Sequence, residues 1–104
     1  MFETIKKLLG IGPKIDLGEV ITRGASIIDV RSPGEFAGGH IKGSVNIPLN
    51  VLPGQLAKLK KDKPVITCCA SGMRSASARN ILLSNGFTEV YNAGSWYNLK
   101  RYEK

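Results

Sequence analysis

Cysteine is scarce in this chain of 104 residues: there are two, Cys68 and Cys69, and they are neighbours. Adjacent cysteines rarely pair, because the ring they close strains the intervening peptide. No CxxC spacing exists, which removes zinc-type and thioredoxin-type pairs. Histidine is scarcer still, with only His40, so no metal-ligand cluster is legible. No Ser-His-Asp pattern or GxxxxGK[ST] phosphate loop occurs either. No apolar run approaches the ~20 residues that span a bilayer. The opening Met1–Lys7 lacks the long apolar core of a signal peptide. Two free thiols suit a reducing compartment, so the expectation is a cytoplasmic protein.

Acidic residues are also few: eight against fifteen basic ones, a net charge of +7. That excess favours anionic partners such as small oxyanions or an acidic carrier protein. The Lys58–Lys63 cluster is read as a solvated surface. Neither nucleic acid nor a membrane is expected as a partner.

What is present is an alternation of short β-branched runs with helical patterns, the mark of an α/β domain with a mostly parallel sheet. Residues 1–9 read as an amphipathic helix with Phe2, Ile5, Leu8 and Leu9 on one face. It is taken to pack on its own domain in preference to a dimer partner or a membrane surface. The expected division is 1–12, helix and linker, and 13–104, the main domain. Asp16 and Glu19 read as the cap of a helix ending at Gly24, and Ser32-Pro33-Gly34-Glu35 as a second capping box. Strands are expected at Ile27–Val30, Val45–Ile47, Pro64–Cys68 and Glu89–Tyr91. Further helices are expected at 52–61, burying Leu52, Leu56 and Leu59, at 73–85, and from Ser95 onward.

The most informative stretch is Cys69-Ala70-Ser71-Gly72-Met73-Arg74-Ser75, which follows a buried strand and opens a helix. In open α/β sheets, ligands bind at the carboxyl ends of strands. A tight turn at a helix N-terminus aims several N–H groups at one centre. The field that binds an anion there also favours a thiolate. Cys69 is therefore the candidate nucleophile, and Ala70, Ser71, Gly72, Met73 and Arg74 the candidate substrate-binding loop. Strand alternation sends Cys68 to the core.

Asp29–Phe36 followed by Gly39–Pro48 resembles the first signature of rhodanese domains. Cys69–Ser75 resembles their active-site loop, and Tyr91-Asn92-Ala93-Gly94 with Trp96 their closing segment. The likeness covers about residues 14–101. It implies a rhodanese-like fold, a mostly parallel five-stranded sheet flanked by helices on both faces. It also implies transfer of a sulfane sulfur through a Cys69 persulfide, with thiosulfate or another small anionic donor as partner and no cofactor. Phosphatase and arsenate-reductase relatives use a longer C-x5-R loop. Here Cys69 to Arg74 is C-x4-R, which fits a sulfur atom better than a tetrahedral oxyanion. Ala70 stands where the family often has Arg, Met73 where a small or polar residue is common, and Ala93 where Gly is frequent. The first two bear on whether thiosulfate is the preferred donor. A non-catalytic binding module and a sulfur relay from a protein partner are the alternatives.

Four more residues invite roles. Arg31 and Glu35 are expected to pair around the Ser32 cap. Asp29 is expected either to brace the loop or Arg74, or to cap a turn. His40 is expected to hold the segment before the next strand rather than to act as a general base.

Overall fold

A computed structural model describes residues 15–103. The expected helix at 1–9 and the division between 1–12 and 13–104 fall outside the described residues. The first helix among the described residues, α1 (Leu17–Thr22), starts where expected: the Asp16 carboxylate accepts the Glu19 N–H at 3.3 Å. It leads into strand β1 (Ser26–Asp29). Helix α2 (Pro33–Ala37) carries the full capping box. The Ser32 hydroxyl accepts the Glu35 N–H, and the Glu35 carboxylate accepts the Ser32 N–H. The first four N–H groups of a helix lack partners within it; the cap serves one of them, and Pro33 at the first position has none to serve.

Strands β1, β2 (Val45–Asn46), β3 (Val65–Cys69) and β4 (Val90–Ser95) form one parallel sheet in the order β2-β1-β3-β4. The expected count of five is corrected to four among the described residues. The four segments expected as strands each became one, and apolar runs such as Val20-Ile21 and Ile81–Leu83 lie in helices. β3 is buried along its whole length because both faces are covered. On one face Val65 and Cys69 join Ile28, Val30, Ala78 and Leu82. On the other, Ile66 and Cys68 join Val20, Ile41 and Leu99. The first face is covered by helix α3 (Met73–Ser84), with Ala78 and Leu82 buried and Ile81 packed beside them. The second is covered by α1 and a closing 3₁₀ helix, Trp96–Tyr102, capped by the Ser95 hydroxyl.

The α-helix expected at 52–61 is instead two 3₁₀ turns, Leu52–Gly54 and Leu56–Lys58. Pro53 offers no N–H and Gly54 is the poorest helix former after proline, so no continuous ladder is sustained. Leu52 is still fully buried, while Leu56 and Leu59 pack partly buried against the same cluster. β4 runs longer than expected because its pairing with β3 continues through a bulge. Thr67 faces Asn92 and Cys69 faces Ser95, three steps on β4 against two on β3. Gly94 sits in that bulge with φ +78°. No helix among the described residues is long and apolar enough to cross a membrane.

Candidate active site

The carboxyl end of β3 meets the N-terminus of α3 within four residues, Cys69 to Gly72. Gly72 makes the turn possible. Its φ is +111°, and a Cβ there would lie 3.3 Å from the Gly94 Cα, so the loop and the β4 bulge touch backbone to backbone. The turn brings the Gly72 N–H to 2.9 Å from Cys69 Sγ and the Ser75 N–H to 3.4 Å. The Ser75 hydroxyl oxygen lies 3.3 Å from the same sulfur.

Burial opposes ionisation of Cys69. The Ser75 hydroxyl and the amides of Ser75, Gly72 and Ser71 outweigh it, and the thiol is held below its ordinary value. Cys68 is the opposite case. Burial, reinforced by the Asp29 charge, pushes its thiol up to about 12. The two cysteines belong to core clusters on opposite faces of the sheet, as period-two alternation requires.

The loop residues are not equivalent. Ala70 and Ser71 are exposed, Gly72 is half-buried, and the Met73 side chain is 81% exposed. Arg74 turns its guanidinium to Glu35 as a fork, with Nη1 2.7 Å from Oε1 and Nη2 3.1 Å from Oε2. Arg74, with the Ser32 amide next, holds the Glu35 carboxyl down at about 2. The contribution this makes to the loop's attachment is complete above the ordinary carboxylate range and lost as pH falls toward 2.

The expected Arg31–Glu35 side-chain pair does not form; Arg31 reaches Glu35 only at its backbone carbonyl, with Nη1 3.4 Å from the oxygen. Arg31 instead forks onto Asp29, with Nε 2.9 Å from Oδ1 and Nη2 2.6 Å from Oδ2, both side chains buried. Residues i and i+2 of an extended chain share a side, which explains the choice. Glu35 is already drawn back to its own helix cap and from there faces Arg74. Arg31 also donates to the Gly39 carbonyl at 2.7 Å and lies 4.8 Å over the Trp96 ring. Asp29 accepts the Arg31 N–H at 3.1 Å, so it both caps the turn and binds Arg31; it does not brace Arg74. His40 stacks on Phe36 at 3.7 Å, and its Nδ1 lies 2.7 Å from the Phe36 carbonyl oxygen. Those contacts hold the turn after α2.

Two residues of the site were not singled out in the sequence. Ser75 stands six positions after Cys69, and one turn of helix carries it back over the sulfur; its place in the loop motif was a usable signal. Asn92 contacts Ser75 from β4 at 2.6 Å. The sequence marks it only as part of the closing segment Tyr91–Gly94, without a role, because the bulge that aims it is not legible there. Among the described residues no group of His, Cys, Asp or Glu side chains is placed to hold a metal.

The Rhodanese-like domain family model matches residues 14–101. The chain is 49% identical over 70 residues to the uncharacterized protein YqhL of Bacillus subtilis (strain 168), covering 67% of this chain and 56% of that one. It thus spans little more than half of that relative. It is 40% identical over 79 residues to the thiosulfate sulfurtransferase GlpE of Stutzerimonas stutzeri (strain A1501), covering 76% of this chain and 72% of that one. Among solved structures, a rhodanese with anions from E. coli superposes with a TM-score of 0.68 at 34% identity, over 72% of this chain and 91% of that one. The human single-domain sulfurtransferase TSTD1 superposes with a TM-score of 0.71 at 28% identity, over 89% and 99%. A parallel sheet covered on both faces, a thiol ringed by amides at its carboxyl edge and a family match along nearly the whole chain agree: this chain belongs to the Rhodanese-like domain family.

Proposed function

We propose that the protein is a sulfurtransferase that carries a sulfane sulfur as a Cys69 persulfide, with thiosulfate or a similar small anion as donor. The observation that carries this reading is a buried sulfur with backbone donors aimed at it from its own short loop. The Cys69 thiolate attacks the outer sulfur of thiosulfate. A new S–S bond forms, the old one breaks, and sulfite leaves with the electron pair. The persulfide keeps one negative charge, now on the outer sulfur, facing the loop amides. A nucleophilic acceptor then takes the outer sulfur and returns the thiolate, as in other covalent catalysis. No cofactor enters the scheme. The net charge of +7 supports an acidic sulfur-carrier or acceptor protein as the cellular partner, in the cytoplasm.

The loop also bears on reaction class. Four residues separate Cys69 from Arg74, and a phosphoryl group needs donors for three oxygens. Incubation of wild-type protein with thiosulfate is expected to add the mass of one sulfur atom, removable by cyanide. An aryl phosphate is expected to release no phosphate. Phosphate release without sulfur loading from any donor would overturn the reading.

Glu35 should weaken the recruitment of dianions, because it occupies the fork of Arg74. Glu35→Gln keeps the capping box, since glutamine serves at that position, and frees the guanidinium. The KM for thiosulfate is expected to fall roughly three- to tenfold, with a steeper salt dependence. An unchanged KM would show that Arg74 does not meet the donor.

A further inference from the structure

We infer that Asn92 is a positioning residue that decides where the Ser75 hydroxyl proton points, and so how readily Cys69 becomes a thiolate. The inference rests on the reading of Cys69 as nucleophile and adds a control to that site.

The orientation of the Asn92 amide is settled by its neighbours rather than by choice. The Gly94 N–H lies 2.9 Å from Oδ1, and Nδ2 reaches the Gly72 carbonyl at 3.3 Å. Reversing the amide would set donor against donor and acceptor against acceptor. Oδ1 can only accept, and the Ser75 hydroxyl lies 2.6 Å from it. A hydroxyl has one proton to give. The Gly72 carbonyl, 3.1 Å from the same hydroxyl, is already served by Asn92 Nδ2 and by the Ala76 N–H at 3.0 Å. Ser75 therefore donates to Asn92.

The 3.3 Å contact between Ser75 Oγ and Cys69 Sγ then has one sense in the thiol state: the S–H donates to the hydroxyl oxygen. Cys69, Ser75 and Asn92 form a chain that points away from the sulfur. A thiolate has no proton to give, and two acceptors compete for the Ser75 proton. To stabilise the thiolate, the hydroxyl must rotate off Asn92, whose Oδ1 keeps the Gly94 N–H. Asn92 thus favours the thiol, against the pull of the loop amides and of the rotated hydroxyl, which together still hold Cys69 below its ordinary value. Once the persulfide forms, the charge moves to the outer sulfur and the hydroxyl returns to Asn92. The proton turns about one bond and no covalent step is involved.

The charged and titratable groups around Cys69 are Arg74 of α3 with Glu35 of α2, the Asp29–Arg31 pair at the end of β1, and Cys68 of β3. None of them hydrogen-bonds to Ser75 or Asn92 among the described residues, so the chain is separable from them by mutation.

The test is the rate of Cys69 alkylation against pH, with peptide mapping to exclude Cys68. Asn92→Ala removes the competing acceptor, and the midpoint is expected to fall by roughly half a pH unit. Asn92→Asp offers a stronger, charged acceptor, and the midpoint is expected to rise by about one unit. In a Ser75→Ala background the Asn92→Ala shift should vanish, and the Asn92→Asp shift should shrink to the part due to charge alone. An unchanged or raised midpoint in Asn92→Ala, or equal shifts in both backgrounds, overturns the inference. Sulfur loading by intact mass is read in parallel. Loading with no Ser75-dependent shift defeats the inference alone; absence of loading in wild-type protein defeats the nucleophile reading.

Discussion

Cys69→Ser is expected to bring sulfur transfer down to background, a loss on the order of 10³-fold or more, while Cys68→Ser retains most of it. The thiols are adjacent in sequence, yet their surroundings differ in every respect that matters. Cys69 Sγ receives the Gly72 and Ser75 amides. Cys68 lies among Val20, Ile41, Ile66 and Leu99, where burial and the Asp29 charge outweigh the opposing Arg31 charge and push its thiol up to about 12. At neutral pH it is a small apolar side chain. Its replacement by serine puts a hydroxyl into an apolar cluster, so the effect is expected in stability and not in rate. Donor-loaded protein, digested and mapped, should carry the extra sulfur on Cys69. Transfer that survives Cys69→Ser and disappears in Cys68→Ser would reverse the assignment.

The largest loss of stability is expected from Arg31→Ala. The Arg31 and Asp29 side chains are 5% and 0% exposed. Truncating the arginine leaves a buried carboxylate without its partner, which costs about 3–5 kcal/mol. It also strips a donor from the Gly39 carbonyl and a cation from the Trp96 face. A small domain holds about 5–15 kcal/mol in all, so the variant should unfold at a much lower urea concentration. Arg31→Lys should recover little, since an ammonium cannot fork onto both carboxylate oxygens. Removing both charges, as in Asp29→Leu with Arg31→Met, should cost less than Arg31→Ala alone. If the double variant is the less stable of the two, the cost does not come from the stranded charge.

Elements whose signals are local were legible in the sequence. Ser32 and Glu35 bond reciprocally within one helical turn, and α2 starts where that pattern puts it. β3 follows from a β-branched run, and α3 from the spacing of Ala78, Ile81 and Leu82 with Gly86 as its stop. The Cys69 loop was legible for the same reason, being a contiguous turn between two clear elements. The pairing of charges was not. Arg31 took Asp29, two residues back on the same side of the extended chain, a local signal that the capping box obscured, and Glu35 took Arg74, 39 residues away, a choice that depends on which helix starts lie side by side. Residues 52–61 misled because leucines spaced three to four apart suit 3₁₀ turns as well as an α-helix. The segment holding Asn92 was legible but its contact was not: a bulge in the register between β3 and β4 brings it to Ser75, and register is a property of two strands.

The two halves of the hydrophobic interior are completed at different moments of synthesis. Val20 belongs to α1 and Leu99 to the 3₁₀ helix Trp96–Tyr102, and they share one cluster with Cys68. At about 5–20 residues per second, several seconds pass on the ribosome between their appearance. Until Trp96–Tyr102 emerges, that side of the sheet has only α1 as cover, and the Cys68 thiol is more open to any oxidant present. The thiol that the finished protein hides most completely is therefore among the last to be sheltered, so oxidative damage at Cys68 should mark nascent chains and leave folded ones untouched.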